Sequence, residues 1–191
     1  MAKRIESTLP NMILSLVVIS MFMSAALAFV YLQTKGPIEN AARQKEAEAI
    51  KQVLPEFDSD PVSGKIEKDG LIIYNLYRQD QPVGYAVKSS TEKGFSGHIE
   101  IMAGFLPDGA IYRVAVLQHK ETPGLGTKMM ESKFSDQFPG KNPADFMLKV
   151  KKDGGQVDAI TAATISSRAY CDALQRAYDT LKQLNDSIAG K

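Results

Sequence analysis

The chain has one cysteine, Cys171, and two histidines, His98 and His119. A single thiol excludes an internal disulfide, and it excludes a cysteine-ligated iron–sulfur cluster held by this chain alone. Two histidines far apart in sequence, with no ligand pattern around them, argue against a metal site, which needs three or four convergent donors. Net charge is also nearly absent: Lys and Arg number 23, Asp and Glu 22, leaving +1. No concentrated basic face points to nucleic acid. There is no G-x-S-x-G elbow to support a hydrolase built on Ser166 or Ser167 with His119, and no P-loop, internal repeat or low-complexity tract. A redox role would need a cofactor other than an iron–sulfur centre.

What is present begins with one long apolar run. Residues 11–32 (NMILSLVVISMFMSAALAFVYL) carry no charge. As a helix they would measure about 33 Å, enough to cross a hydrocarbon core of about 30 Å. The run is apolar on every side, unlike the single stripe of a soluble surface helix. A cleaved signal peptide is the rival reading: Lys3 and Arg4 make a basic start and Ala26-Leu27-Ala28 resembles a cleavage site. Because the apolar run continues through Phe29–Leu32, a retained anchor is preferred. Lys3 and Arg4 flank one end, Lys35, Arg43 and Lys45 the other, so the positive-inside count does not fix orientation. Without Lys3, Arg4 and Glu6 the remainder carries 21 basic and 21 acidic residues. A tether, not charge, would keep such a neutral domain beside its partners.

With 191 residues, the length suits one domain plus this segment. Gly36-Pro37 is expected to end or bend the anchor, with a second helix over 38–54 bearing a Glu39–Arg43 pair. Four strands follow: 71–78 (LIIYNLYR), 83–88 (VGYAVK), 98–105 (HIEIMAGF) and 110–118 (AIYRVAVLQ). Pro107-Asp108-Gly109 turns between the last two. The short connections predict an antiparallel meander. A short helix is expected over 128–138, another strand over 146–151, and a long amphipathic helix over 165–188 with Gly190 near its end. The fold class is α+β, an antiparallel sheet packed with helices.

The segment 158–168 (DAITAATISSR) carries the chemistry. Thr161, Ala162 and Ala163 are small, and Thr161, Thr164, Ser166 and Ser167 offer hydroxyls at the start of the last helix. A helix start has unpaired amides and the positive dipole end, which suit a phosphate. Arg168, one turn on, could reach the same group. The same residue types are also the usual capping set, and Asp158 or Thr161 could simply cap the helix. A second segment lies upstream, His119-Lys120-Glu121-Thr122-Pro123-Gly124-Leu125-Gly126, whose proline and glycines make a turn that brings backbone amides near a ligand. Cys171 reads as a quiet buried thiol, and Met129 and Met130 as packing residues.

The run D-A-I-T-A-A-T-I-S is similar to the flavinylation motif D-x-x-(S/T)-(G/A)-A-T-x-(S/T) of the FMN-binding domain family. H-K-E-T-P-G-L-G is similar to the loop that lies beside the flavin in that family, and 94–109 (GFSGHIEIMAGFLPDG) is a looser match. With one amino-terminal span, the chain resembles the G subunits of Rnf-type ion-translocating ferredoxin:NAD+ oxidoreductases. These are relatives of the C subunit of the sodium-translocating NADH:quinone reductase, which is the alternative assignment and is usually longer.

The resemblance implies FMN joined by a phosphoester to Thr164, put there by a flavin transferase. It implies that Asp158, Thr161, Ala162, Ala163 and Ile165 surround the attachment point. His119, Glu121, Thr122, Gly124, Leu125 and Gly126 form the loop beside the ring, with Glu121 and Thr122 offering polar contacts and Leu125 packing. Ala162 departs from the commonest glycine; its methyl group could tighten the site, but alanine is still small and is expected to be tolerated. The implied organisation is a tail and membrane anchor over 1–35 and an FMN-binding domain over 36–191. That domain lies on the extracytoplasmic side of a bacterial inner membrane and passes electrons among other subunits. A membrane-tethered, non-redox assembly module is the reading that remains if the threonine motif is only a cap.

Overall fold

A computed structural model describes residues 8–61 and 64–189. Lys3, Arg4, Glu6, Gly190 and the Ile188 side chain lie outside the described residues. The chain separates into two units between Gln44 and Lys45.

The first unit is helical. The helix α1 runs Leu9–Val53 and contains Pro37. Gly36-Pro37 therefore does not end it: the helix passes through both residues, and Pro55 follows only after its last turn. The ion pair on this stretch is Lys35–Glu39 at 4.0 Å, not Glu39–Arg43. The apolar window of α1 is wholly uncovered by protein. By length and composition it can cross a membrane, and lipid would remove that surface from water.

The second unit is built on an antiparallel meander. Its strands are β1 (Lys65–Lys68), β2 (Leu71–Arg78), β3 (Gln81–Gly94), β4 (Gly97–Phe105) and β5 (Ile111–His119), ordered β1-β2-β3-β4-β5. The register sets Ile73 against Val87, Val87 against Ala103 and Ala103 against Val114. These residues share one face with Ile99, Ile101 and Phe105. They pack on the long helix α3 (Thr164–Ala189) through Ala169, Tyr170, Ala173, Leu174, Ala177 and Leu181. Replacing a residue such as Leu174 by alanine would cost about 2–5 kcal/mol.

The other face, with Tyr74, Leu76, Ala86 and Met102, is covered by Ala49, Ile50, Val53 and Leu54. Burial on both faces explains why β2 reads as an almost continuous apolar run. Gly104 permits this layer, because a Cβ there would lie 1.7 Å from the Val53 carbonyl oxygen. Tyr74 donates to Glu46, and Lys88 pairs with Glu46 and Glu100.

Between β5 and α3 the chain is mostly loop. Expected helix 128–138 is two pieces, a 3-10 turn η1 (Gly126–Met130) and α2 (Ser132–Ser135), because Glu131 takes an extended conformation. Expected strand 146–151 is a single bridge, Val150 to Val157. Phe134, Phe138 and Tyr170 pack there with ring centroids 5.1–5.4 Å apart, anchoring the loops to α3.

Candidate functional site

The start of α3 is shaped by Ser167, which is completely buried. Its Oγ accepts from the Ile160 amide at 2.9 Å and donates to the Ala163 carbonyl at 3.0 Å. The Ala163 amide donates to Ile160 O at 3.0 Å, closing a turn around Thr161 and Ala162. Ala162 sits at φ +61°, in the left-handed region. The preference for glycine at this position is therefore conformational: turns with a positive φ at the third residue favour it. The expectation of mere steric tightening misses this.

Neither Asp158 nor Thr161 caps α3. Asp158 is exposed, and its carboxylate pairs with Lys151 at 2.7 Å. Its amide donates to Gln137 Oε1, and its carbonyl accepts from Gln137 Nε2. Thr161 is exposed. Arg168 points away from the helix start, with Nε and Nη2 donating to Asp153 at 2.7 Å each. Asp153 takes the guanidinium, which competes with the expected reach of Arg168 to a phosphate at Thr164. The amides of Thr164, Ile165 and Ser166 have no acceptor among the described residues. They remain as anion donors at the positive end of a 26-residue helix.

Glu121 joins three segments. It is almost wholly buried. Its Oε1 accepts from the Ser96 amide at 3.1 Å and its Oε2 from the Ser166 hydroxyl at 2.5 Å. Gly126 makes room, since a Cβ there would fall 2.6 Å from both the Glu121 Cβ and Oε2. Gly124, at φ +75°, turns the loop, and its amide donates to Thr127 Oγ1 at 2.9 Å.

These contacts enclose a cavity of about 320 Å³ lined by Phe95, Glu121, Thr122, Leu125, Gly126, Ala162, Ala163, Thr164, Ile165 and Ser166. Thr164 is half-buried, and its hydroxyl has no hydrogen-bond partner among the described residues. Thr161 and Asp158 line a separate hollow of about 210 Å³, with Lys128, Lys133 and Phe134. His119 and Gly124 line neither. His119 ends β5 opposite Ile99, with Nδ1 buried and unpartnered. Ser166, the last position of the D-A-I-T-A-A-T-I-S run, lines the cavity, and so does Phe95, which the two main motifs do not single out although it falls in the looser match at 94–109. No cluster of three metal-binding side chains occurs among the described residues.

The chain matches the FMN-binding domain family over residues 94–179. It is 38% identical over 176 residues to the G subunit of the ion-translocating oxidoreductase complex of Methanosarcina acetivorans, covering 88% of this chain and 92% of that one. It is 30% identical over 190 residues to the G subunit of the Na(+)-translocating ferredoxin:NAD(+) oxidoreductase complex of Acetobacterium woodii, covering 90% and 91%. Among solved structures, that of Shewanella oneidensis NqrC is similar with a TM-score of 0.43 at 20% identity, over 67% of this chain and 62% of that one.

The residues present fit FMN. The cavity lies at the lower end of the ~300–1,000 Å³ usual for ligand sites. Apolar side chains form part of its wall, and a helix start with amides and a hydroxyl that have no partner among the described residues offers donors for a phosphate.

Proposed function

We propose, from the premise that this chain belongs to the family of G subunits of ion-translocating oxidoreductase complexes, that it is a membrane-anchored electron-transfer subunit carrying FMN on Thr164. The observation that carries the reading is the Thr164 hydroxyl, unpartnered, at the start of α3 and on the wall of the 320 Å³ cavity. A phosphoester there would join the Thr164 hydroxyl oxygen to the FMN phosphate. The Thr164 hydroxyl would give up its proton and take the flavin phosphate from the activated donor of a flavin transferase, the donor's P–O bond to its leaving group breaking as the new P–O bond forms. When bound, FMN supplies reversible electron transfer; the protein supplies position and electrostatics.

The residues divide the work. The amides of Ile165 and Ser166 would hold the phosphodiester charge, aided by the helix dipole. Ser167 and the Ile160–Ala163 turn present Thr164 at the surface. Leu125 and Ile165 give apolar walls that exclude water, and the exposed Thr122 offers a polar contact. The tether retains the cofactor while leaving it open to exchange electrons with neighbouring subunits. Residues 1–35 act as tail and bilayer anchor, and residues 36–191 act on the extracytoplasmic side of a bacterial inner membrane. The ferredoxin:NAD+ oxidoreductase complex is the assembly this reading assigns.

The test is Thr164→Val in the full chain, produced together with a flavin transferase. The variant folds and reaches the membrane, but shows no fluorescent flavin on a denaturing gel. Flavin persisting on the variant would refute the attachment site.

A further inference from the structure

We infer that Phe95 is the side chain that covers the flavin ring in this cavity, an inference that rests on reading Thr164 as the attachment point. Phe95 stands at the tip of the β3–β4 hairpin and is 67% exposed. It stacks on no other ring among the described residues. A bare phenyl at a turn adds little to folding, yet this one lines a concave site with Thr164. Leu125 and Ile165, 41% and 45% exposed, line it too. Three large apolar side chains therefore come from three separate segments to one hydroxyl. Apolar surface left open in a hollow marks a contact that a ligand completes. Phe95 is the one aromatic residue among those lining the cavity, and a planar aromatic ligand is matched best by an aromatic wall.

The backbone around Phe95 is held although its side chain is bare. Ser96, the next residue, donates its amide to buried Glu121 at 3.1 Å. Gly94, the preceding one, packs so closely that a Cβ would lie 2.5 Å from Glu121 Oε1 and 2.3 Å from Gly97 O. The carboxylate that fixes the hairpin tip also accepts from Ser166, two residues beyond Thr164. One buried group thus sets the spacing between Phe95 and the attachment point. Glu121 acts as a positioning residue, and Phe95 makes the contact.

The experiment uses the full chain produced with a flavin transferase and extracted in detergent, as wild type, Phe95→Ala and Phe95→Tyr. Covalent flavin is measured on a denaturing gel. Ring access is measured by iodide quenching of flavin fluorescence and by visible circular dichroism. Phe95→Ala is expected to fold and to carry covalent flavin. Bound ligands leave roughly 10–30% of their surface in water, so opening one wall should raise the iodide quenching constant about two-fold. Phe95→Tyr should restore the wild-type constant and dichroism. Unchanged quenching and dichroism in Phe95→Ala, with flavin attached, would overturn the role of Phe95 and leave the attachment standing. Absence of covalent flavin from the wild type would overturn the attachment reading and this inference with it.

Discussion

The Ser166 hydroxyl donates to Glu121 Oε2 across 2.5 Å, joining the first turn of α3 to the loop after β5. With the Ser96 amide on Oε1, the buried carboxylate serves two donors that have no other partner among the described residues. Glu121→Ala leaves both unsatisfied and should destabilise the domain by about 2–3 kcal/mol. Denaturant unfolding of the detergent-extracted chain measures this. Glu121→Gln, which keeps one acceptor and offers Ser166 a donor, should recover at least half of the loss.

Ala162 is the one motif position whose backbone works against its side chain. At φ +61°, alanine is strained where glycine is free. Ala162→Gly should raise stability by about 0.5–1 kcal/mol, and Ala162→Val should lower it by about 1–2 kcal/mol. Thermal unfolding distinguishes the two. Covalent flavin should persist in Ala162→Gly, because the Ile160–Ala163 turn is kept.

Arg168 is committed to Asp153. Its guanidinium holds the Asp153 carboxyl below the usual carboxylate range, first through the hydrogen bond and then through its charge. A depressed carboxyl stabilises the fold above its ordinary value, and that contribution is lost as the pH falls. The pair is exposed, so the effect is small. Arg168→Gln should therefore leave covalent flavin at the wild-type level on a denaturing gel. It should also make the unfolding temperature slightly less sensitive to acid between neutral pH and about pH 3. Loss of flavin in this variant would return Arg168 to the phosphate.

Burial pushes the Cys171 thiol up from its ordinary value near 9 to about 12. The folded state keeps the proton longer than the unfolded chain does. The stability contributed by this group is therefore complete below the ordinary value and is lost as the pH rises toward 12. At neutral pH a maleimide should leave the folded chain unlabelled and should label it fully in denaturant, read by intact mass.

Where the signal is local, the sequence suffices. Leu71–Arg78 coincides with β2 because its β-branched and aromatic residues fill both covered faces. The edge strand β1, KIEK, carries three charges in four residues and is defined by its pairing to β2, so it has no strand signal of its own. The polar end of β3 is hidden for a similar reason. Ser89 and Thr91 are buried only because α3 receives them, Ser89 Oγ donating to Ala173 O and Thr91 Oγ1 to Asp172 Oδ2, both at 2.8 Å. At the site, the motifs name most of the cavity lining. They cannot reveal that Glu121 turns inward to Ser96 and Ser166, that Asp153 captures Arg168, or that Phe95 lines the same cavity. Those are contacts between segments far apart in sequence, which no spacing along the chain encodes.

The most direct test of the central claim is the mass of a proteolytic peptide spanning residues 153–168, from full chain produced with an active flavin transferase. The predicted result is the peptide plus FMN less one water, with fragmentation placing the added mass on Thr164. An unmodified peptide, or added mass on Thr161, would contradict the account.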